Sequence, residues 1–102
     1  MFSWLSTGKS VAMGKELARI VIELVSNDPA VNQSKRTSKA NYAKEKMQKR
    51  IRQFKQEEVL NVLKTAKLLN TFKWTLKDSG YDKEFIDDLA TWIFIGLRTH
   101  NF

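Results

Sequence analysis

The chain has 102 residues, 42% of them hydrophobic, with three Trp and six Phe, which is the composition of one small globular domain and not of a disordered segment. It contains no Cys, so disulfides, thiolate metal sites and cysteine redox chemistry are excluded. Eighteen Lys and Arg against 11 Asp and Glu give a net charge of +7, a balance that favours anionic partners.

The first stretch of chemical interest is Thr7-Gly8-Lys9-Ser10, which resembles the end of a phosphate-binding loop. That motif needs a Gly five residues before Gly8, and Ser3 stands there. It also needs a preceding strand to aim its amides, and seven residues leave no room for one. The fragment therefore reads as a turn before a helix. Met13, Leu17, Ile20, Val21 and Leu24 recur at helical spacing and predict that helix over 9–25. Phe2, Trp4 and Leu5 either add a first turn or fold back onto the core. Ser26-Asn27-Asp28-Pro29 then stops the helix.

The polar run 31–41 reads as a loop or a frayed helix start, with Thr37 or Ser38 as a cap for the next helix. That second helix is predicted over 39–55. Ala40, Ala43, Met47, Ile51 and Phe54 step by 3, 4, 4 and 3 and make one narrow apolar stripe. The stripe breaks at Gln56-Glu57-Glu58. Either a third helix starts there and runs over 57–78, or one long helix carries a stutter. Two helices are the expectation, with acids in the first turn of the new one. Within that span Phe72, Trp74 and Leu76 alternate like a strand, but a lone strand has no partner, so helix is expected. Gly80 suits the left-handed position after a helix, and Asp82 suits the cap of a fourth helix over 83–97. Phe85, Leu89, Trp92, Ile93 and Gly96 would share one face of it, while Ile86, Phe94, Ile95 and Leu97 make its other faces apolar too. The fold expected is all-α, a single domain of four helices in an antiparallel bundle.

Charge is segregated along this chain. Between Lys35 and Lys55 nine Lys and Arg face one acid, Glu45, a local balance of +8 that leaves −1 for everything else. Between Asp78 and Asp88 five acids face Lys83, a balance of −4. Any electrostatic function belongs to one of these blocks. The candidate binding residues are Lys39, Lys44, Lys46, Lys49, Arg50, Arg52 and Lys55. They can grip nucleic-acid phosphates, an acidic protein surface, or anionic lipid, or they can form a plain solvated face. Aromatics interleave thinly, only Tyr42 and Phe54, which disfavours a base-stacking platform. The over-apolar fourth helix, through Trp92, Phe94 and Ile95, is a candidate contact for a protein partner or a second copy.

Other chemistry finds little support. The outline "LKDSGYDKEFIDDL" has the shape of a helix–turn–helix, but its second helix would present Glu84, Asp87 and Asp88 to phosphate. Asp87 and Asp88 are adjacent, so on a helix they diverge by about 100° and do not share a substrate. These acids also lack the spacing of a calcium loop. The one His, His100, is the third residue from the end of the sequence. A non-enzymatic binding protein is expected, with no metal and no cofactor. No apolar stretch reaches the roughly 20 residues of a membrane span, and the first residues lack the charged start of a secretory signal. A cytoplasmic location is the expectation, with surface contact to membrane through residues 1–5 and the basic helix the least favoured of the binding modes.

Overall fold

The computed structural model describes residues 7–28 and 30–99. They form α1 (Gly8–Leu24), α2 (Gln33–Glu57), α3 (Val62–Asp78) and α4 (Lys83–Arg98). Phe2, Trp4, Leu5, Pro29 and His100 lie outside the described residues. Among the described residues there is no strand, and no helix is long and apolar enough to cross a membrane.

Two asparagines set boundaries that differ from those expected. Asn32 Oδ1 accepts from the backbone N–H groups of Ser34 and Lys35, at 2.8 and 3.3 Å, and so starts α2 six residues before Lys39. Of the two readings of the run 31–41, loop or helix start, the structure has the helix start, from Gln33 onward, and neither Thr37 nor Ser38 is its cap. Asn61 Oδ1 accepts from Lys64 N–H at 2.9 Å and starts α3 five residues after the expected point. Glu57 ends α2 instead of opening α3. An Asn side chain satisfies N–H groups that the first turn leaves bare, which is why it outranks a favourable charge in choosing the start. The strand-like run 71–78 is helical. Phe72 and Leu76, four apart, are fully buried, and Trp74 between them is 60% exposed.

The helices pack as a ring in the order α1, α2, α4, α3. Neighbours along the chain run antiparallel, as expected, but two of the packed pairs are parallel. Lys9 meets Glu58 while Asn27 meets Ser79, so α1 and α3 point the same way. Arg36 meets Asp82 while Lys55 meets Gly96, so α2 and α4 do too. The connection from α2 to α3 therefore crosses a diagonal of the bundle. With neighbouring axes about 10 Å apart that diagonal is about 14 Å, which four extended residues span. Glu58 and Asn61 are both extended. At this crossing Glu58 faces two ammonium groups, Lys9 at 3.4 Å and the buried Lys64 at 3.6 Å. At the opposite end of the bundle the buried Tyr81 donates its hydroxyl hydrogen to the Val25 carbonyl and stacks on Phe85. Burial is the main cause that raises the Tyr81 pKa.

The core runs through Leu17, Val21, Met47, Ile51, Leu68, Phe72, Leu76 and Ile93. Its tightest point is Gly14. A Cβ built there would lie 2.5 Å from the Leu68 carbonyl oxygen and 2.9 Å from Thr71 Cβ. The missing side chain is what lets α1 and α3, the most extensively packed pair, approach. Gly80, with φ of +89°, is the left-handed residue after α3, as its position in the sequence indicated.

Ala is the better helix former by about 1 kcal/mol, yet Gly14→Ala is expected to destabilise by about 2 kcal/mol, because a carbonyl of α3 has to move. Gly8→Ala is the control, since nothing lies within 4 Å of a Cβ there. Urea titration of both variants decides the point, and a stabilised Gly14→Ala protein would refute the close crossing.

Candidate nucleic-acid interface

α2 is 25 residues long and buries fully only Ala43, Met47, Ile51 and Phe54. Everything more than about a quarter-turn from that stripe faces water or the flanks of α1 and α4. The nine cations of the basic block divide accordingly.

Three are tied into the fold. Arg50 donates to both carboxylate oxygens of Glu16 on α1 and, at 2.9 Å, to Gln53 Oε1. The hydrogen bond to Glu16 is the main reason its pKa is raised above an already high ordinary value. Arg36 donates to Asp82 Oδ1 at 3.2 Å and lies 4.4 Å over the Phe85 ring, with its Nε buried and unpartnered. Lys55 donates to the carbonyls of Gly96, at 2.9 Å, and Thr99. It thereby caps the last turn of α4, whose carbonyls have no helical donor. A fourth, Lys44, sits half-buried 5.5 Å over the Trp92 ring.

Five remain on the outside. Lys35, Lys39, Lys46, Lys49 and Arg52 are exposed, and among the described residues none of them forms an ion pair. Lys46 lies 5.2 Å over the exposed ring of Tyr42. Positions 35, 39, 42, 46 and 49 step by 4, 3, 4 and 3, so four lysines and one tyrosine form a single row along the helix. At 1.5 Å per residue the row is about 21 Å long. Arg52 stands further round, on the side that carries Glu45, seven residues before it.

Of the seven cations singled out in the sequence, then, Lys39, Lys46, Lys49 and Arg52 face outward. Lys44, Arg50 and Lys55 are engaged with Trp92, Glu16 and the end of α4. Lys35, outside that set of seven, also belongs to the row, and the signal that places it on the helix is the Asn32 cap. The acidic block stays apart from the row. Asp82 takes Arg36, and Asp87 takes Lys73 and Lys83, at 3.5 and 3.3 Å.

The second candidate surface is also rearranged. Ile86 and Leu97 belong to the core, and Trp92 is half-buried against it beneath Lys44. Phe94 and Ile95 are exposed, Ile95 pointing to solvent and Phe94 toward α3. Among the described residues no group of three or more His, Cys, Asp or Glu gathers as a metal site. The phosphate-loop fragment opens α1, and its Lys9 is held by Glu58.

Two variants test this division. Lys55→Met leaves two carbonyls at the end of α4 without their donor and is expected to cost about 1–2 kcal/mol in urea titration, against nothing measurable for Lys49→Met. Asp82 caps α4 by accepting from Phe85 N–H at 3.0 Å, and this bond, with Arg36 second among the groups that favour the charge, lowers its pKa below the ordinary 3.8. A carboxyl with a lower pKa folded than unfolded stabilises fully above its unfolded value and loses that contribution as pH falls through the folded one. Asp82→Ala should therefore cost about 1 kcal/mol near neutral pH, with the difference from the parent chain shrinking in acid. A difference that stays constant down to the acid limit would show that the charge is idle.

Compared with models of protein families, with curated sequences and with solved structures, the chain matches none of them.

Proposed function

We propose that this chain is a non-enzymatic binding protein that grips nucleic acid by its phosphates through the outer face of α2. The observation that carries the reading is the row Lys35, Lys39, Lys46 and Lys49, four ammonium groups on one face with no carboxylate paired to any of them among the described residues. A solvated helix face in a bundle usually mixes signs, because alternating charges stabilise it through neighbouring pairs. This one concentrates like charges one to two turns apart, an arrangement that costs self-repulsion in the free protein and loses that cost when phosphate arrives.

The chemistry favours backbone contact over base reading. Lysine is a point charge that suits phosphate, whereas base edges are read chiefly by the forked donors of Arg, Asn and Gln. Tyr42 is one aromatic in the row, and stacking platforms use several. The row is straight and about 21 Å long, which along a duplex axis passes about six phosphates of one strand. Binding is accordingly tolerant of sequence and sensitive to salt. Location inside the cell goes with such a partner and is part of the same proposal.

The test is fluorescence anisotropy of a labelled duplex of mixed sequence titrated across a salt series. Four phosphates neutralised on duplex DNA give a slope of log affinity on log salt of about −3.6, and each single Lys→Gln change in the row should flatten it by about 0.9. Lys77→Gln, on α3, should leave the slope unchanged. No binding at low salt, or a slope indifferent to the four lysines, would sink the reading.

A further inference from the structure

We infer that the trough between α3 and α4 is a second, separate binding site, built to seat an amphipathic acidic helix of a partner protein. α3 and α4 run antiparallel, and along one side they do not close over each other. Its apolar lining is Ala66 and Leu69 from α3 with Ala90 and Phe94 from α4, and Asn70 and Thr91 stand beside them. The trough continues at both ends from this middle hollow of about 570 Å³, into one of about 340 Å³ beside Trp74 and Ile86 and one of about 560 Å³ beside Leu60, Val62 and Leu97. Large apolar groups line it in the open, with Val62 80%, Trp74 60% and Phe94 41% exposed. Exposing such groups together is costly for a chain that has nothing to cover them.

Shape and charge together specify the occupant. From Val62 to Trp74 the floor is about 18 Å long, the length of about three helical turns, and a helix laid in a groove anchors by residues at i, i+3 or i+4, and i+7. The rim is cationic. Lys73, Lys77, Lys83 and Arg98 border the trough, and Asp87 is the one acid among its lining residues. Asp87 is shared between Lys73 and Lys83. Lys77 and Arg98 lie over the trough's own rings, 4.9 Å from Trp74 and 5.7 Å from Phe94, where they edge the apolar floor. A guest therefore needs apolar residues on one face and carboxylates on its flanks, and a basic amphipathic helix is repelled. The trough is distinct from the lysine row, since α3 lies across the bundle diagonal from α2.

The probe is a labelled synthetic peptide of about four helical turns, with Leu at the i, i+3, i+4 and i+7 positions and Glu on both flanks. Its counterpart carries Lys in place of every Glu. Anisotropy with the full chain should show the acidic peptide binding at least about tenfold tighter than the basic one, a difference of about 1.4 kcal/mol. Ala66→Arg should weaken it by about tenfold or more by filling the floor, while far-UV circular dichroism shows the fold intact, since Ala66 is exposed. Lys77→Glu should narrow the preference for the acidic peptide. The fourfold variant with Lys35, Lys39, Lys46 and Lys49 all changed to Gln should bind the peptide as the parent does, which separates this site from the nucleic-acid reading. Equal binding of both peptides, indifference to Ala66→Arg, or loss in the fourfold variant would overturn the inference. So would a dimer in sedimentation that Ala66→Arg dissociates, because a second copy would then be the occupant.

Discussion

The attachment of α2 by a stripe one side chain wide governs much of what this chain presents to its surroundings. Ala43, Met47, Ile51 and Phe54 are its whole fully buried contribution to the core. The rest of its 25 residues have to be compatible with water, and here most of them are polar or basic. A helix so thinly anchored needs support at its edges. Arg50 supplies it toward α1, Arg36 and Lys55 toward α4. Basic residues thus do two jobs on one helix. Arg36, Lys44, Arg50 and Lys55 act as fasteners, and Lys35, Lys39, Lys46, Lys49 and Arg52 are exposed with no carboxylate paired to them among the described residues. Which job a given Lys or Arg has depends on whether α1 or α4 brings an acceptor or a ring within its reach.

That rule also explains how far the sequence could be read. The all-helical fold was legible because apolar residues recur at 3 and 4, and because no Gly or Pro interrupts the span from Ala30 to Ser79. The turn at Gly80 and the cap at Asp82 were legible from their own local chemistry. The starts of α2 and α3 were not legible: Thr37 and Ser38 offer the same capping chemistry as Asn32, and the acids at 57 and 58 suit a first turn as well as Asn61 suits a cap. The parallel packing of α1 with α3 was out of reach. It depends on a linker crossing the bundle diagonal, and spacing along a chain carries no record of which helices become neighbours.

The candidate sites show the same limit. That 35–55 is basic was evident at once; that Arg50 is consumed by Glu16 and Lys55 by the end of α4 was not, since those partners lie 34 and 41 residues away or more. The α4 surface was read from hydrophobicity alone, which placed Trp92 on it. In the folded chain Trp92 is half-buried under Lys44, and the exposed partners of Phe94 come from α3, an element whose own pattern looked like ordinary core. A groove belongs to two helices and is invisible in either one.

Gly14 carries a consequence for substitution. The atom nearest to an added Cβ is a main-chain oxygen, Leu68 O, and no trimming of a facing side chain removes it. Compensation by a second substitution is therefore closed off, and only a rigid displacement of α3 would make room. Elsewhere in the core, residues can exchange volume with their neighbours. At Gly14 the constraint is set by main chain, so any larger residue there carries the cost of moving α3 whatever the neighbouring side chains are.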